Sequence, residues 1–417
     1  MMSNCCRNNI AVFLVCSVLT ACSALFAACT ATRAPVFGPD RSTIKAEECL
    51  VDENGPYSVS FYYCAPTAGY YDIEIAFEPG AGHTGLFIRD SLDRVIDSQA
   101  DQTDYVATVF LDAGDNLISA KDLDHQSGNG IRSFSVRTSD RTVKLIVAPH
   151  EDDEILAFAG TIQQMIADGD IVRIVFLTNG DYFGKELGPI RIAESLNALE
   201  MLGVSKDNVI FMGYGDALIG ALYSAGYTDD IYEARSGSTG TSADPSNGIL
   251  DYHLANVGEA AAYSGNNIRS DLKDIITTIR PDTVFTTSDS EWHPDHQAAY
   301  WLVDETISGL VDELDYHPVL CQSVVHGETA DWPEVLEYTG DNEPVIENFT
   351  MPFPSGNSSL DWEQAVHITL TDEQVMNKYE AIGEFTSQNE GGENYNGNSS
   401  FNYAFCKRDE FYWTKEY

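Results

Sequence analysis

Carboxylate and imidazole side chains are concentrated in two short segments of this chain. Residues 149–154 read Pro-His-Glu-Asp-Asp-Glu and follow the apolar run 143–148, while residues 293–296 read His-Pro-Asp-His and follow the strand-like run 283–287. Carboxylates this close repel one another, and burying them costs several kcal/mol unless a cation offsets the charge. A divalent metal ion is such a cation. The two segments therefore predict one metal site with catalytic carboxylates beside it.

The residue types and their spacing suggest which side chains bind the metal. His150 and Asp153 are three residues apart at the predicted start of a helix, so their side chains share one face. His296 completes a set of three ligands. An open site with histidine and carboxylate ligands is typical of catalytic zinc, which keeps a water molecule in its remaining position. Zn²⁺ is therefore the expected ion. Because the same ligands also suit iron or cobalt, another divalent metal is the alternative.

Other side chains of the two segments are free for chemistry beside the metal. Asp152 points away from Asp153 and can accept the proton of the metal-bound water, whose pKa zinc lowers. His293 can stabilise the oxyanion or protonate a leaving group. Asp295 can hold one imidazole ligand in its orientation.

Strands and helices alternate from residue 143 onwards. Apolar runs predict strands at 143–148, 171–177, 209–212 and 283–287, with residues at helical spacing between them. This order predicts an α/β fold with a Rossmann-like, mostly parallel sheet flanked by helices on both faces. Ligands of such sheets bind beyond the carboxyl ends of the strands, where both acidic segments lie. The long polar segment 223–264 is predicted to be an insertion near the site, either a lid, a substrate wall or a surface loop.

Residues 41–140 have a different pattern of short alternating runs separated by turns, which predicts a smaller all-β sandwich. The segments 68–73 and 111–118 resemble jelly-roll carbohydrate-binding modules of secreted glycan enzymes. A sandwich that binds no ligand and only spaces or braces the enzyme is the alternative. We therefore expect a leader at 1–34, the sandwich at 41–140 and the enzyme domain at 143–417.

Residues 1–34 have the features of a targeting segment. The apolar run 10–19 is too short to span a membrane by itself. Leu-Thr-Ala-Cys at 19–22 resembles a bacterial lipoprotein processing site, which would attach a lipid to Cys22, and an ordinary cleaved signal peptide is the alternative. We expect an exported protein, either a lipoprotein at the outer surface or in the periplasm, or a secreted protein.

The net charge limits the expected partners of the chain, and its cysteines bear on possible disulfides. The formal net charge of −42 repels nucleic acid and anionic membranes, so the only expected membrane contact is a lipid anchor at Cys22. Export makes disulfides possible. The sequence leaves three pairings open, and we expect the one that keeps each bridge within a domain, Cys49 with Cys64 and Cys321 with Cys406.

The two acidic segments together resemble the PIG-L/LmbE family of zinc-dependent de-N-acetylases, which remove acetyl groups from N-acetylglucosamine-type sugars and related amides. Leu-Thr-Asn-Gly-Asp at 177–181, and Lys378 with Ser387-Gln388, resemble further family motifs. The resemblance implies a de-N-acetylase domain over residues 143–415. The zinc ligands that it implies are His150, Asp153 and His296. It also implies Asp152 as the general base and His293 as the residue that stabilises the tetrahedral intermediate.

Substrate contacts are less specified by the resemblance, which implies Arg191 and Asp216. Arg191 could instead pair with Glu194 along a helix, and Asp216 could be a turn residue. Two residues depart from the family pattern: Glu151 replaces a usual proline and would add charge beside the metal, while Trp292 could offer a face for sugar stacking. Three histidines are expected to be surface or core residues rather than ligands, namely His317, His326 and His367.

The sequence thus predicts a metal-dependent hydrolase that removes an N-acetyl group from a sugar or glycan. One alternative is a catalytically inactive, exported glycan-binding protein, against which the complete set of candidate ligands argues. The other alternative is an amidase that acts on a non-sugar amide. A substrate panel separates the last from the first.

Overall fold

The structure is a computed structural model that describes residues 33–52, 57–78, 80–97, 104–124, 130–330, 332–334, 347–389 and 399–417. The predicted leader, including Cys22, lies outside these ranges except for its last two residues. Within these ranges, no helix has both the length and the apolar character needed to cross a membrane.

The strands are β1 (Val36–Phe37), β2 (Ile44–Lys45), β3 (Leu50–Asp52), β4 (Ser58–Ala65), β5 (Gly69–Phe77), β6 (His83–Ile88), β7 (Ser91–Asp97), β8 (Asp104–Leu111), β9 (Gly114–Asp122), β10 (Ile131–Thr138), β11 (Val143–Ala148), β12 (Ile171–Thr178), β13 (Val209–Tyr214), β14 (Thr283–Thr287), β15 (Val319–Ser323), β16 (Val366–Thr369) and β17 (Asp409–Glu416). The helices are α1 (Asp153–Ala167), α2 (Gly188–Met201), α3 (Ile219–Ala225), α4 (Tyr252–Val257), α5 (Gly265–Ile279), α6 (Pro294–Leu314), α7 (Asp372–Gly383), α8 (Thr386–Asn389) and α9 (Ser399–Tyr403).

Strands β1 to β10 form two sheets that share one hydrophobic core. One sheet has the order β1-β4-β9-β6-β7 with β3 paired to β4, and the other has the order β2-β10-β5-β8. Alternate side chains point inward, as on β4, where Val59, Phe61 and Tyr63 are buried. The predicted all-β region ahead of the α/β region is confirmed, while its relation to carbohydrate-binding modules stays a prediction.

Strands β11 to β17 form a seven-stranded sheet with the order β13-β12-β11-β14-β15-β17-β16. In that order, the five strands β13, β12, β11, β14 and β15 pair in parallel with their neighbours. β17 and β16 form one edge of the sheet with antiparallel pairing. β11 is apolar because both of its faces are covered: Ile146 packs in the core that contains α1, and Leu145 and Val147 pack in the core that contains α5 and α6. The predicted mostly parallel sheet with helices on both faces is confirmed.

The sandwich packs against the amino-terminal edge of this sheet. Asp93 on β7 accepts hydrogen bonds at 2.7 Å and 3.3 Å from Arg173, the third residue of β12. The guanidinium of Arg94 also lies 3.3 Å from Asp93. The hydroxyl of Tyr70 donates a hydrogen bond of 2.7 Å to the backbone oxygen of Arg280, just after α5. A charged, fully buried contact therefore joins the two regions at the end of the sheet opposite to the acidic segments.

Replacing Asp93 with alanine is expected to lower the free energy of unfolding by about 3–5 kcal/mol, because two buried guanidinium groups lose their shared carboxylate. The side chains of Asp93 and Arg173 are 0% and 1% exposed. Urea unfolding measures the loss. Glu47→Ala is the matched control, since Glu47 pairs with Lys45 at the surface, and such pairs contribute about 1 kcal/mol or less. An equal loss in both variants would contradict a stabilising role for the interface ion pair.

The cysteine pairing predicted from the sequence is wrong in this structure, where Cys49, Cys64, Cys321 and Cys406 are free thiols. Leu50 pairs with Ser60 between β3 and β4, so Cys64 lies about 10 Å along the strand from the position opposite Cys49. Cys321 on β15 pairs with Thr414, eight residues after Cys406. A disulfide needs Cα atoms within about 7 Å, and the register of β3 and β4 keeps Cys49 and Cys64 farther apart than that.

Candidate active site

The segments 149–154 and 293–296 meet at the carboxyl edge of the sheet. β11 and β14 are parallel neighbours, so the connections that follow them leave from the same edge. α1 begins at Asp153 and α6 at Pro294, whose missing N–H is not needed at the first position of a helix. His293 caps α6, because its Nδ1 accepts a hydrogen bond of 3.3 Å from the backbone N–H of Asp295.

The three predicted metal ligands form a nearly equilateral triangle of ligand atoms. Nδ1 of His150 is 3.2 Å from Nε2 of His296 and 3.2 Å from Oδ2 of Asp153. Nε2 of His296 is 3.3 Å from the same oxygen of Asp153. A tetrahedral ion with ligands at 2.0–2.1 Å requires ligand separations of about 3.3–3.4 Å, so the triangle fits Zn²⁺ or a similar ion. All three side chains line a cavity of about 540 Å³, which leaves a fourth position accessible.

The far side of the His150 ring is held by carboxylates. Its Nε2 lies 3.3 Å from Oδ2 of Asp295 and 3.4 Å from Oδ1 of Asp216. A metal-binding imidazole commonly has a carboxylate on its other nitrogen, which fixes the ring and its tautomer. Two other groups also bring possible ligand atoms within 4.8 Å of one another, namely His150/His293/His296 and His150/Asp216/Asp295. The near-equal short separations favour the triangle with Asp153 as the metal position.

The second imidazole of the triangle has its own carboxylate partner, which the sequence analysis missed. Oε2 of Glu291 lies 2.7 Å from Nδ1 of His296, and both side chains are fully buried. The two oxygens of Glu291 accept hydrogen bonds of 2.8 Å and 3.1 Å from the backbone N–H groups of Val325 and His326. Glu291 stands two residues before His293, and this proximity to the motif was the available signal.

Asp152 lies beside the triangle and lines the cavity, with 17% of its side chain exposed. The buried Arg191 contacts it, with Nη2 at 3.4 Å from Oδ1 of Asp152. The same guanidinium donates hydrogen bonds of 2.9 Å to the backbone oxygen of Glu151 and 3.1 Å to Oδ2 of Asp216. Arg191 thereby fixes both Asp152 and Asp216, so Asp216 is more than a turn residue.

The alternative pairing of Arg191 with Glu194 is wrong. The carboxylate of Glu194 accepts hydrogen bonds of 2.9 Å from the hydroxyl of Thr386 and of 2.7 Å and 2.6 Å from Ser387. These bonds fasten α8 to α2. The neighbouring Gln388 lines the cavity. The resemblance of this late segment to a family motif stays a prediction.

Lys378, the other residue of that late motif, is fully buried away from the cavity. Its ammonium group donates hydrogen bonds of 2.7 Å to the backbone oxygen of Leu156 and 2.8 Å to Glu410. Glu410 also accepts hydrogen bonds from the backbone N–H groups of Gly160 and Thr161. This charge pair ties α7 and β17 to α1, the helix that begins at Asp153.

Burial and neighbouring charges give the acidic residues different protonation behaviour. Burial raises the pKa of Asp152 to about 6, although the positive charge of Arg191 opposes the rise. Burial also disfavours ionised Asp153, but the charge of His296 and the other imidazole outweighs it and lowers the pKa of Asp153. Burial and the adjacent imidazoles lower the pKa of His293 to about 3. The site therefore combines a neutral His293 with a carboxylate at Asp152 that titrates near neutral pH.

Glu151, which was expected to add negative charge beside the metal, is buried among the site residues. Its side chain is fully buried, and neither carboxylate oxygen has a hydrogen-bond partner among the described residues. Nε of Arg191 is its nearest cation at 3.8 Å. Burial raises the pKa of Glu151 to about 8, so the protonated, uncharged form predominates at neutral pH.

Aromatic rings form the outer part of the cavity. Trp292 is 60% exposed, and its ring centre lies 4.8 Å from that of His326. Phe183 is 48% exposed and packs edge to face against Tyr182 at 4.7 Å. The ring of His326 also lines the cavity, with its centre 4.8 Å from that of His296.

The other two histidines lie outside the cavity lining. His317 is 48% exposed along its side chain and contacts Asp315, and His367 contacts Asp409 at the other edge of the sheet. Both therefore lie at the surface, as expected.

The inserted segment 223–264 supports the cavity from outside rather than forming its wall, since none of its residues lines the cavity. Arg235 stacks 4.3 Å from the ring centre of Tyr182 and donates a hydrogen bond of 2.7 Å to its hydroxyl. The hydroxyl of Ser236 donates to the carboxylate of Asp181. The insertion thus fixes the loop that carries Tyr182 and Phe183.

The sheet, the three-ligand triangle and the adjacent carboxylate define an α/β protein with a candidate metal centre at the carboxyl edge of its strands. Residues 145–307 match the family model described as PIG-L, GlcNAc-PI de-N-acetylase. The matched part of the chain contains every proposed metal ligand and Asp152. No curated protein matches the chain.

Several solved structures are similar to the chain. An N,N'-diacetylchitobiose deacetylase from Pyrococcus horikoshii is 18% identical, with 67% of this chain and 84% of that chain covered and a TM-score of 0.39. A deacetylase of teicoplanin biosynthesis is 17% identical, with 66% and 97% covered and a TM-score of 0.39. A 4-carboxy-2-hydroxymuconate hydratase from Pseudomonas putida is 14% identical, with 66% and 95% covered and a TM-score of 0.35. The similarity to the de-N-acetylase family is carried by the match at residues 145–307.

Proposed function

We propose that this protein is a metal-dependent hydrolase that removes the N-acetyl group from an N-acetylglucosamine-type sugar or glycan. The observation that carries the proposal is the triangle of His150, Asp153 and His296, with ligand atoms 3.2–3.3 Å apart and open to a cavity. The family match at residues 145–307 supports de-N-acetylation as the reaction. Zn²⁺ is the proposed ion, because its tetrahedral geometry fits these separations.

A bound Zn²⁺ would lower the pKa of a coordinated water molecule and polarise the acetyl carbonyl. Asp152 is placed to accept the proton of the attacking water, because its carboxylate lines the cavity beside the triangle. The same carboxyl group can then return the proton to the departing amine. Holding Asp152 in one orientation is the proposed role of Arg191, whose side chain bonds the backbone of Glu151 as well.

His293 is proposed to stabilise the negative charge that develops on the acetyl oxygen. Its Nδ1 accepts a hydrogen bond from the backbone N–H of Asp295, so the proton of the neutral ring lies on Nε2. The lowered pKa of His293 keeps the ring uncharged at neutral pH. A neutral N–H donor can therefore bind the oxyanion without repelling the nearby cation.

The contacts of Arg191 and Asp216 favour positioning roles over the sugar contacts first expected. Arg191 already bonds Glu151, Asp152 and Asp216, and it is only 6% exposed. Asp216 lies between that guanidinium and the His150 ring. Gln388 and Asn402 also line the cavity, and they are polar residues that sugar hydroxyls could approach.

Chelation tests the proposed function directly. We expect the purified protein to release acetate from N-acetylglucosamine sugars, to lose at least about 100-fold in rate when stripped of metal, and to recover with Zn²⁺. Enzymatic acetate determination and metal analysis of the same samples provide the measurements. Full activity after metal removal would contradict the mechanism. Glycan binding without acetate release would favour the inactive binding protein, and release from non-sugar amides alone would favour the amidase.

The cellular location completes the proposal. We propose that the protein is exported, either anchored through a lipid at Cys22 or secreted. Partition of the full-length protein into a detergent phase, compared with that of a Cys22→Ala variant, separates these two forms. Nucleic acid is not a proposed partner, because the net charge of −42 opposes binding.

A further inference from the structure

The order of the strands places aromatic side chains on both sides of the candidate metal position. β11, which leads to His150, lies between β12 and β14 in the sheet. The loop after β12 carries Phe183, and the loop after β14 carries Trp292. Both residues line the same cavity as His150. The carboxyl ends of β12 and β14 are separated by two strand spacings, roughly 10 Å, which is longer than one pyranose ring.

Each aromatic side chain is supported from behind while part of its surface remains exposed to solvent. Trp292 contacts His326 at 4.8 Å between ring centres and is 60% exposed. Phe183 is 48% exposed and packs edge to face on Tyr182, which Arg235 of the insertion holds in place. Aromatic surface exposed within one cavity is available to pack against a ligand. Rings fixed in this way suit the apolar C–H faces of sugars, which pack on the electron-rich faces of aromatic groups.

The charges of the cavity select against anionic ligands. Among the described residues that line it, Arg191 is the only arginine or lysine. Arg191 is buried and already contacts the backbone oxygen of Glu151 and the carboxylates of Asp152 and Asp216. Apart from the candidate metal ion, a phosphate, sulfate or carboxylate on the substrate would therefore meet no available cation among the described lining residues, and the net charge of −42 repels it at long range. A neutral sugar chain meets neither obstacle.

We propose that the cavity binds a neutral N-acetylated oligosaccharide across the ends of β12, β11 and β14. One acetamido sugar lies at the candidate metal position, and its two neighbours in the chain stack on Phe183 and Trp292. The enzyme therefore removes acetyl groups from internal sugars of a glycan in preference to single sugars. This inference rests on the proposed deacetylase function, and it adds the length, the charge and the orientation of the substrate.

Comparing substrates of different length and charge tests the proposal. The native protein loaded with Zn²⁺ is given N-acetylglucosamine, its β-1,4-linked tetramer and a hyaluronan tetrasaccharide, which is N-acetylated but anionic. We expect kcat/KM for the neutral tetramer to exceed that for the monomer by about tenfold or more, as two stacking contacts would provide. Hyaluronan should be poorer than the neutral tetramer. Mass spectrometry of the first tetramer product should place the free amine on an internal sugar.

Variants identify the side chains responsible. Trp292→Ala and Phe183→Ala are each expected to reduce the tetramer-to-monomer ratio of kcat/KM by about three- to tenfold, mainly through KM, because stacking binds ground state and transition state alike. Trp292→Phe should keep most of the ratio. Tyr227→Ala is the matched control, since Tyr227 is an aromatic residue that is 75% exposed but lies outside the cavity lining. It should leave the ratio unchanged.

Defined outcomes overturn the proposal. A native ratio near one, a preference for hyaluronan, or equal ratios in native protein, Trp292→Ala and Phe183→Ala would each do so. If no sugar releases acetate, the proposed function fails, and calorimetric titration of the tetramer into the same proteins then decides the inference. Binding that both alanine variants weaken and Tyr227→Ala does not would support it, whereas absence of binding would overturn it.

Discussion

Replacing Asp152 with asparagine is expected to lower kcat for acetate release by about 10²–10⁴-fold while leaving the metal content unchanged. The amide has the shape of the carboxylate but cannot accept the proton of the attacking water. Asp152 lies outside the ligand triangle, so its replacement does not remove a metal ligand. Steady-state kinetics and metal analysis of one preparation separate the two effects. KM should change little, because the proposed step is proton transfer rather than binding.

A matched control exists at the other end of the same helix. Asp152 precedes α1 and Asp168 follows it, where the side chain is exposed to solvent. Asp168→Asn makes the same chemical change and should leave kcat and metal content as in the native protein. Turnover near the native value in metal-loaded Asp152→Asn would eliminate Asp152 as the base and leave the cavity without an assigned proton acceptor.

The sequence was sufficient to predict the sheet because the pattern of apolar residues reflects burial on both faces. β11 reads as a nearly continuous apolar run, and the structure buries Leu145, Ile146 and Val147 completely. The acidic segment that follows β11 indicated that the strand ends there. Such local patterns could not reveal which distant strands become neighbours at the edge, such as β17, whose pairing with β15 is antiparallel.

The same distinction applies to the active site, where some residues follow from local motifs and others from contacts with distant segments. His150, Asp153 and His296 could be proposed because their motifs concentrate costly charges that need a cation. Glu291 and His326 were missed because their roles arise from contacts with other segments, such as the bonds from Glu291 to the backbone beyond β15. The burial of Glu151 was missed for a related reason, since a sequence shows a charge but not its surroundings.

The cysteines show where a plausible sequence argument fails. Keeping each bridge inside one domain is a reasonable constraint, but it gives no information about the register of the paired strands. The pairing of Leu50 with Ser60 fixes the offset between Cys49 and Cys64, and that offset is too large for a disulfide. Among the described residues, the sandwich is held by its apolar core, and the buried contact between Asp93 and Arg173 joins it to the α/β region.

Removing a metal ligand and removing its carboxylate partner should have different consequences. Asp153→Ala deletes one corner of the triangle, so we expect loss of bound metal and of detectable acetate release at any Zn²⁺ concentration. Glu291→Gln keeps all three ligands but replaces the carboxylate that lies 2.7 Å from Nδ1 of His296. Loss of such a partner weakens metal binding by about 10–100-fold. Competition with a chromophoric chelator measures both affinities.

The response to added Zn²⁺ distinguishes positioning from folding. If Glu291 acts by holding His296, excess Zn²⁺ should restore most of the activity of Glu291→Gln, because the weakened site refills by mass action. The same addition should not rescue Asp153→Ala. Activity of Glu291→Gln that stays low with the site full would instead show that Glu291 shapes the loop through Val325 and His326. Unchanged zinc affinity in both variants would place the metal elsewhere and remove the basis of the proposed reaction.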